Sequence, residues 1–221
     1  MHISLNKISR KFNYEWIFRD VNFEFASGNA YAILGSNGSG KSTLLQIISG
    51  HLHPSEGTIK YSNDKQIIAI EDFFRHVTYS GPYLELIEEF TLEEMLTFHH
   101  RFRKFRNGMD VNAVIDITGL ARNRNKPIKY FSSGMKQRVR LAIALLSESD
   151  VVLLDEPAAN LDRKAIEWYR NLVAEQSRDR ILIVCSNSQS EEHDFCTQSI
   201  VIDDYKNNGK EKQVSGKKQS V

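Results

Sequence analysis

The stretch Ala30-Tyr-Ala-Ile-Leu34, followed by Gly35-Ser-Asn-Gly-Ser-Gly-Lys-Ser-Thr43, decides how the rest of the chain is read. An unbroken apolar run of this length suits a strand buried on both faces, the pattern of a parallel sheet. The glycine-rich turn after it fits the phosphate-binding pattern G-x4-GK[ST]. Glycines are needed there because backbone N–H groups must close around phosphate oxygens with no Cβ in the way. Gly35, Ser36, Asn37, Gly38, Ser39 and Gly40 form that cradle. Lys41 adds a point charge for the outer phosphates, and the hydroxyl of Ser42, beside Thr43, is of the type that ligates Mg²⁺. A helix over Lys41–Ser49, closed by Gly50, aims its positive N-terminus at the same anion.

Upstream of this unit, Ile3 and Leu5 alternate with polar residues, as do Val21, Phe23 and Phe25, which predicts strands with one buried face. Downstream, Thr58–Tyr61 and Gln66–Ile70 are expected as short strands parted by Ser62, Asn63 and Asp64. From about Ser80 to Phe131 the character turns helical. Thr91-Leu-Glu-Glu94 is a capping box that opens a helix running to about Phe105, and Asp110 caps a second that ends at Gly119. A helix follows Ser133, carrying Val139, Leu141, Ala142, Leu145 and Leu146. Then come the strand Val151–Asp155, helix Arg163–Gln176, strand Ile181–Ser186, a short helix near Glu191–Cys196 and strand Ser199–Asp203. Strands and helices alternating at both ends predict an α/β fold with a parallel sheet covered by helices on both faces. An antiparallel β edge and a helical subdomain inserted at about 80–138 complete it. One domain is expected over 2–204, and the lysine-rich stretch 205–221 reads as a disordered tail.

Composition narrows the function classes. The 221 residues carry 29 Lys and Arg against 28 Asp and Glu, a net +1 too balanced to indicate a nucleic-acid partner. The only cysteines are Cys185 and Cys196, which excludes a disulfide scaffold and fits a reducing compartment. The opening MHISLNKISRKF has no apolar h-region, so a secretory signal is not expected, and no apolar run approaches the roughly 18 residues needed to span a bilayer. Membrane association is therefore expected through a partner. His99-His100 are adjacent and so point apart, poor geometry for a metal. Arg101, Arg103, Lys104 and Arg106 are expected as a solvated basic helix end.

Val151-Val-Leu-Leu-Asp-Glu156 is an apolar strand that delivers two carboxylates to the ligand edge of an α/β sheet. Asp155 is suited to hold Mg²⁺ through water, and Glu156 to polarise an attacking water. Between the two motifs lies Phe131-Ser-Ser-Gly-Met-Lys-Gln-Arg138, and here the chain resembles the ATP-binding cassette family. That family's signature, LSGGQ followed by a basic residue and QR, opens a helix. The order of motifs agrees over about residues 2–204: phosphate loop, helical insert, signature, Leu153-Leu-Asp-Glu-Pro157 and, as the D-loop, Asn160-Leu-Asp162.

The resemblance implies a P-loop NTPase core, ATP and Mg²⁺ as ligands, and ATP hydrolysis powering a separate transmembrane permease at the cytoplasmic face of the membrane. It implies head-to-tail pairing with a second cassette, so that Ser132, Gly134 and Asp162 complete the nucleotide site of the partner. Phe12 is the expected adenine-stacking ring, with Tyr14 and Trp16 as alternatives. Three departures stand out. Asn187 occupies the place of a histidine that touches the γ-phosphate, no Gln falls within Tyr79–Pro82, and Ser133 replaces the first signature glycine. With Lys41, Asp155 and Glu156 intact, slow hydrolysis is expected. The alternatives are a nucleotide-gated regulatory dimer with little turnover and a soluble ATPase outside transport.

Overall fold

The computed structural model describes residues 1–64, 66–82, 84–187 and 190–206. The chain opens with a hairpin of β1 (His2–Phe12) and β2 (Glu15–Ala26), then β3 (Asn29–Leu34), helix α1 (Lys41–Ile48), β4 (Glu56–Ser62) and the short β5 (Ile67–Ile68). Helix α2 (Ile70–Phe73) leads into β6 (Val77–Ser80), followed by α3 (Leu92–Phe102), α4 (Val111–Thr118) and α5 (Ser133–Leu146). Strand β7 (Val151–Asp155), α6 (Arg163–Gln176), β8 (Ile181–Ser186), α7 (Ser190–His193) and β9 (Gln198–Val201) complete the order.

An antiparallel sheet runs β2-β1-β4-β5, and a parallel sheet runs β6-β7-β8-β3-β9. The apolar runs of β7 and β8 explain the parallel sheet, because both of their faces are covered. Val151, Leu153, Ile181 and Ile183 turn toward Leu44 and Ile47 of α1 and toward Ile3 and Phe25 of the antiparallel sheet. Their neighbours Val152, Leu154, Leu182 and Val184 turn the other way, onto Leu141 and Leu145 of α5 and Leu172 of α6. Each such side chain, fully buried, is worth about 1.5–3 kcal/mol of transfer free energy. The α/β core, the antiparallel β edge and the helical block between β6 and β7 agree with the expected fold class.

The helix starts follow their caps. Thr91 and Glu94 form the capping box of α3, and Asp110, Ser132 and Asp162 each accept an N–H in the first turn of α4, α5 and α6. Several boundaries differ from expectation. Strand β6 was not expected, since Val77-Thr-Tyr-Ser80 is short and half polar; pairing with β7 makes it a strand. The second short strand shrinks to Ile67–Ile68, because Ile70 starts α2 and Phe73 stacks on Tyr61 at 3.8 Å between ring centroids.

Helix α3 stops at Phe102 rather than Phe105. Arg103 is extended there, and its guanidinium donates to the carbonyls of Phe74, Arg75 and Glu148 at 2.6–3.1 Å. Arg106 pairs with Asp179 at 2.7 Å. These two arginines are anchors rather than part of the solvated basic face expected of them. The last helix and strand are displaced, to Ser190–His193 and Gln198–Val201. Beyond Lys206 the expected tail at 205–221 lies outside the described residues.

Strand register positions the site. Leu34 pairs with both Ser186 and Val201, Asp155 with Cys185, and Ser80 with Leu154. The carboxyl ends of all five parallel strands therefore lie on one edge, which is where ligands bind in open α/β sheets.

Candidate functional site

The loop Gly35–Gly40 leaves β3 at that edge and enters α1. Gly40 serves as the N-cap with φ 103°, a left-handed conformation that favours glycine. It is also a position of close approach, since a Cβ there would lie 2.5 Å from Ile17 and 3.0 Å from Phe18 of β2. No side chain caps α1 and no acidic residue stands in its first turn, so its N–H groups face the edge open to an anion. Lys41 is 5% exposed and folds back so that Nζ donates to the carbonyls of Gly35 and Ser36, both at 3.0 Å. Ser39 is fully buried, and its Oγ has no hydrogen-bond partner.

The carboxylates stand opposite. Asp155 is 1% exposed; burial raises its pKa, while the Ser42 hydroxyl and Tyr79 favour its charged form. Its Oδ2 accepts from the Tyr79 hydroxyl at 3.3 Å, and its Oδ1 is buried without a hydrogen-bond partner. Glu156 adopts a positive φ of 50°, rare for a residue with a Cβ, and its N–H extends the ladder to Cys185 at 3.0 Å. The Asn187 amide nitrogen donates to Oε1 of Glu156. Asn187 and Glu156 therefore meet, as their shared strand edge requires, and Asn187 Oδ1 remains buried and unpartnered.

The signature segment packs on the D-loop of its own chain. A Cβ on Gly134 would lie 2.8 Å from the Asn160 carbonyl, so only glycine permits this approach. Gln137, 4% exposed, donates to the Pro157 carbonyl at 3.1 Å. Ser132 and Ser133 are exposed at the N-terminus of α5, where the Ser132 Oγ accepts from the Met135 N–H at 3.2 Å. The Asp162 carboxylate is taken up by the Ala165 N–H, at 2.8 Å. Phe12 sits at the hairpin tip, half exposed, with the Arg10 guanidinium 4.5 Å from its ring. Tyr14 is almost wholly exposed, and Trp16 has Lys11 and Arg19 against its ring. Phe12 and Trp16 lie on the same hairpin as Ile17, which touches Gly40.

Two contacts went unread in the sequence. The Asp203 carboxylate accepts from the Ser36 N–H at 2.8 Å and from its hydroxyl at 3.1 Å, and these bonds hold its pKa below the usual range. Glu192 is 2% exposed and accepts the Ala158 N–H at 3.0 Å, with Ser186 as a second donor; burial raises its pKa. Neither residue belongs to a motif, and each reaches its partner across a long span of chain. Glu192 alone carries a faint signal, as a carboxylate on a helix too short to show periodicity.

His99 and His100 both stack on the Phe105 ring. The His99 Nε2 bonds to Ser147 Oγ at 2.7 Å, and among the described residues no cluster of His, Cys, Asp and Glu suits a metal. Cys185 and Cys196 are both free thiols. No helix among the described residues is long and apolar enough to cross a membrane.

A glycine loop feeding a helix, facing two carboxylates at a parallel-sheet edge, defines a P-loop nucleotide-binding protein. Residues 18–159 match the family described as ABC transporter, and the chain belongs to that family. Among its relatives, the cytochrome c biogenesis ATP-binding export protein CcmA of Brucella abortus is 31% identical over 84% of this chain and 85% of its own. The ABC transporter ATP-binding protein YcbN of Bacillus subtilis is 29% identical over 80% of this chain, which spans 58% of that relative. A solved ATP-binding cassette, a dimer in a post-hydrolysis state with ADP and Pi, superimposes with a TM-score of 0.74 over 91% of this chain and 95% of its own, at 23% identity.

Proposed function

We propose that the chain is the ATP-hydrolysing subunit of an ABC transporter, working with a second cassette and a separate membrane-embedded permease on the cytoplasmic side. The observation that carries this reading is strand register: it sets Lys41, Asp155, Glu156 and Asn187 on one edge although they come from three separate strand ends. Names of relatives support the transport role, since CcmA is an export protein. The dimeric cassette with ADP and Pi supports pairing of two copies.

In this reading the loop N–H groups and Lys41 bind the phosphates, and Phe12 or Trp16 stacks on the adenine. Asp155 and Ser42 supply hard oxygen donors, and the unpartnered buried Oδ1 of Asp155 fits a Mg²⁺ ion. When bound, that ion neutralises charge on the phosphate oxygens. Glu156 accepts the proton of the attacking water while Asn187 fixes its carboxylate. The exposed Ser132, with Gly134 behind it, faces the nucleotide of the second cassette; closure of the pair assembles the site and hydrolysis releases it. Asp162 caps α6 through Oδ1, which fixes the D-loop backbone on the side of the second cassette.

A second reading, a nucleotide-gated regulator with little turnover, draws on the Asn187–Glu156 bond, which engages the catalytic carboxylate with a neutral amide. Steady-state rates decide between them. Under the first reading Glu156→Gln lowers turnover by about 10²–10⁴ while ATP affinity holds and an ATP-dependent dimer accumulates on a sizing column. Asn187→Ala loses about fivefold, the worth of one hydrogen bond. A wild type that turns over above background at a rate unchanged in Glu156→Gln would remove Glu156 as the base, and a wild type that binds ATP but turns it over only at background would favour the regulator.

A further inference from the structure

Strand β6 ends beside the metal-side carboxylate, and one of its side chains reaches it. Tyr79 pairs in register with Leu153, two residues before Asp155 on the neighbouring strand. Its hydroxyl donates to Asp155 Oδ2 at 3.3 Å. The other oxygen, Oδ1, is buried without a hydrogen-bond partner, and Ser42 approaches the same carboxylate from α1. A carboxylate at the end of a strand can rotate about its last bond; a donor on one oxygen removes that freedom and decides which oxygen is presented.

The ring that carries the hydroxyl is itself held in place. Tyr79 packs partly buried against the core cluster of α1 and the antiparallel sheet. At Gly81 a Cβ would stand 2.8 Å from both the Tyr79 hydroxyl and its ring edge, so the absence of a side chain there makes room for this placement. The ring also lines a cavity of about 360 Å³ with Gln46, Ser49, His51 and Leu84. Tyr79 therefore touches Asp155 on one side and a solvent-open wall on the other.

We propose that Tyr79 is a positioning residue that orients Asp155 so that Oδ1 is the oxygen offered to Mg²⁺, an inference that rests on the ATP reading above. Hydrogen-bonded partners of a ligating carboxylate tune metal affinity by about 10–100-fold, and a bond of this length belongs at the low end.

The test is Tyr79→Phe in the full chain, which keeps the ring and its packing and removes only the hydroxyl. Nucleotide affinity in EDTA, measured by calorimetry, should match wild type, because the phosphate loop is untouched. Mn²⁺ affinity of the nucleotide-loaded protein, read by electron paramagnetic resonance, should fall about tenfold. The Mg²⁺ concentration for half-maximal turnover should rise by the same factor. Gly81→Ala, whose methyl group would displace the ring with the hydroxyl intact, should lower Mn²⁺ affinity in the same direction. Unchanged Mn²⁺ affinity in both variants overturns the proposal. An equal loss of nucleotide affinity in EDTA would also overturn it, since Tyr79 would then be a packing residue only. If folded wild type binds no nucleotide either in EDTA or with Mg²⁺ present, the ATP reading falls and this inference falls with it.

Discussion

One wall of the site is a single run, Gly35–Thr43, whose donors are its own backbone and one lysine. The facing wall gathers Asp155, Glu156, Asn187, Glu192 and Asp203 from the ends of β7 and β8, from α7 and from the turn after β9. The first wall is local: its shape follows from glycines, a helix start and a buried strand before it. The second exists only because the parallel strands stop at the same edge. The two also differ in how they bear mutation. In the proposed reading, losing a group from the local wall removes a ligand contact directly, whereas losing one from the gathered wall disturbs a chain of bonds between loops. That chain runs from Gln137 to the Pro157 carbonyl, from the Ala158 N–H to Glu192, and from Asn187 to Glu156.

The largest expected effect falls on the local wall. Lys41→Ala removes a buried cation aimed into the loop, with charge-assisted bonds worth about 1.5–3 kcal/mol each, so nucleotide affinity should fall about a hundredfold or more. Calorimetry with ATP measures it. An unchanged dissociation constant would break the comparison at its root, because the loop would not be the phosphate wall.

The gathered wall should respond more weakly and in a different quantity. Glu192→Ala leaves the buried Ala158 N–H without its acceptor, at a cost of about 1–3 kcal/mol in stability. Turnover should drop about tenfold while ATP affinity stays within twofold, because Glu192 holds the turn that leads into the D-loop rather than the phosphate loop. Thermal melts and steady-state kinetics read both. A loss of affinity as large as that of Lys41→Ala would show that the two walls are one cooperative unit.

The smallest effect lies away from both walls and serves as their control. Burial pushes the His99 imidazole from its ordinary 6.5 down to about 4. The unfolded chain therefore takes up a proton near pH 6.5 that the folded chain refuses until about 4, so stability is full above that window and declines as pH falls through it. His99→Gln should flatten the decline in melting temperature between about pH 7 and about pH 5. An unchanged pH slope would mean that His99 is not the group that titrates there.

Much of the helical block was legible because capping is chemistry at short range. Thr91 and Asp110 each announce a helix within three residues of their partners, whereas the caps at Ser132 and Asp162 were read only as site residues. The strand β6 was not, since Val77-Thr-Tyr-Ser80 has no pattern of its own and gains its conformation from β7. Arg103 and Arg106 looked like a solvated face because a run of cations carries no mark of the carbonyls and the carboxylate waiting elsewhere.

The sequence by itself determined the phosphate loop, the paired carboxylates after an apolar strand, the signature at a helix start and the family to which the chain belongs, because each is written in consecutive residues whose backbone preferences are local. Only the tertiary structure decided that Asn187 engages Glu156, that Gly134 makes room for the Asn160 carbonyl, that Asp203 clamps Ser36 and that Tyr79 reaches Asp155. Those partners lie tens of residues or more apart, and what joins them is sheet register and the crossing of packed elements, which no short segment encodes alone.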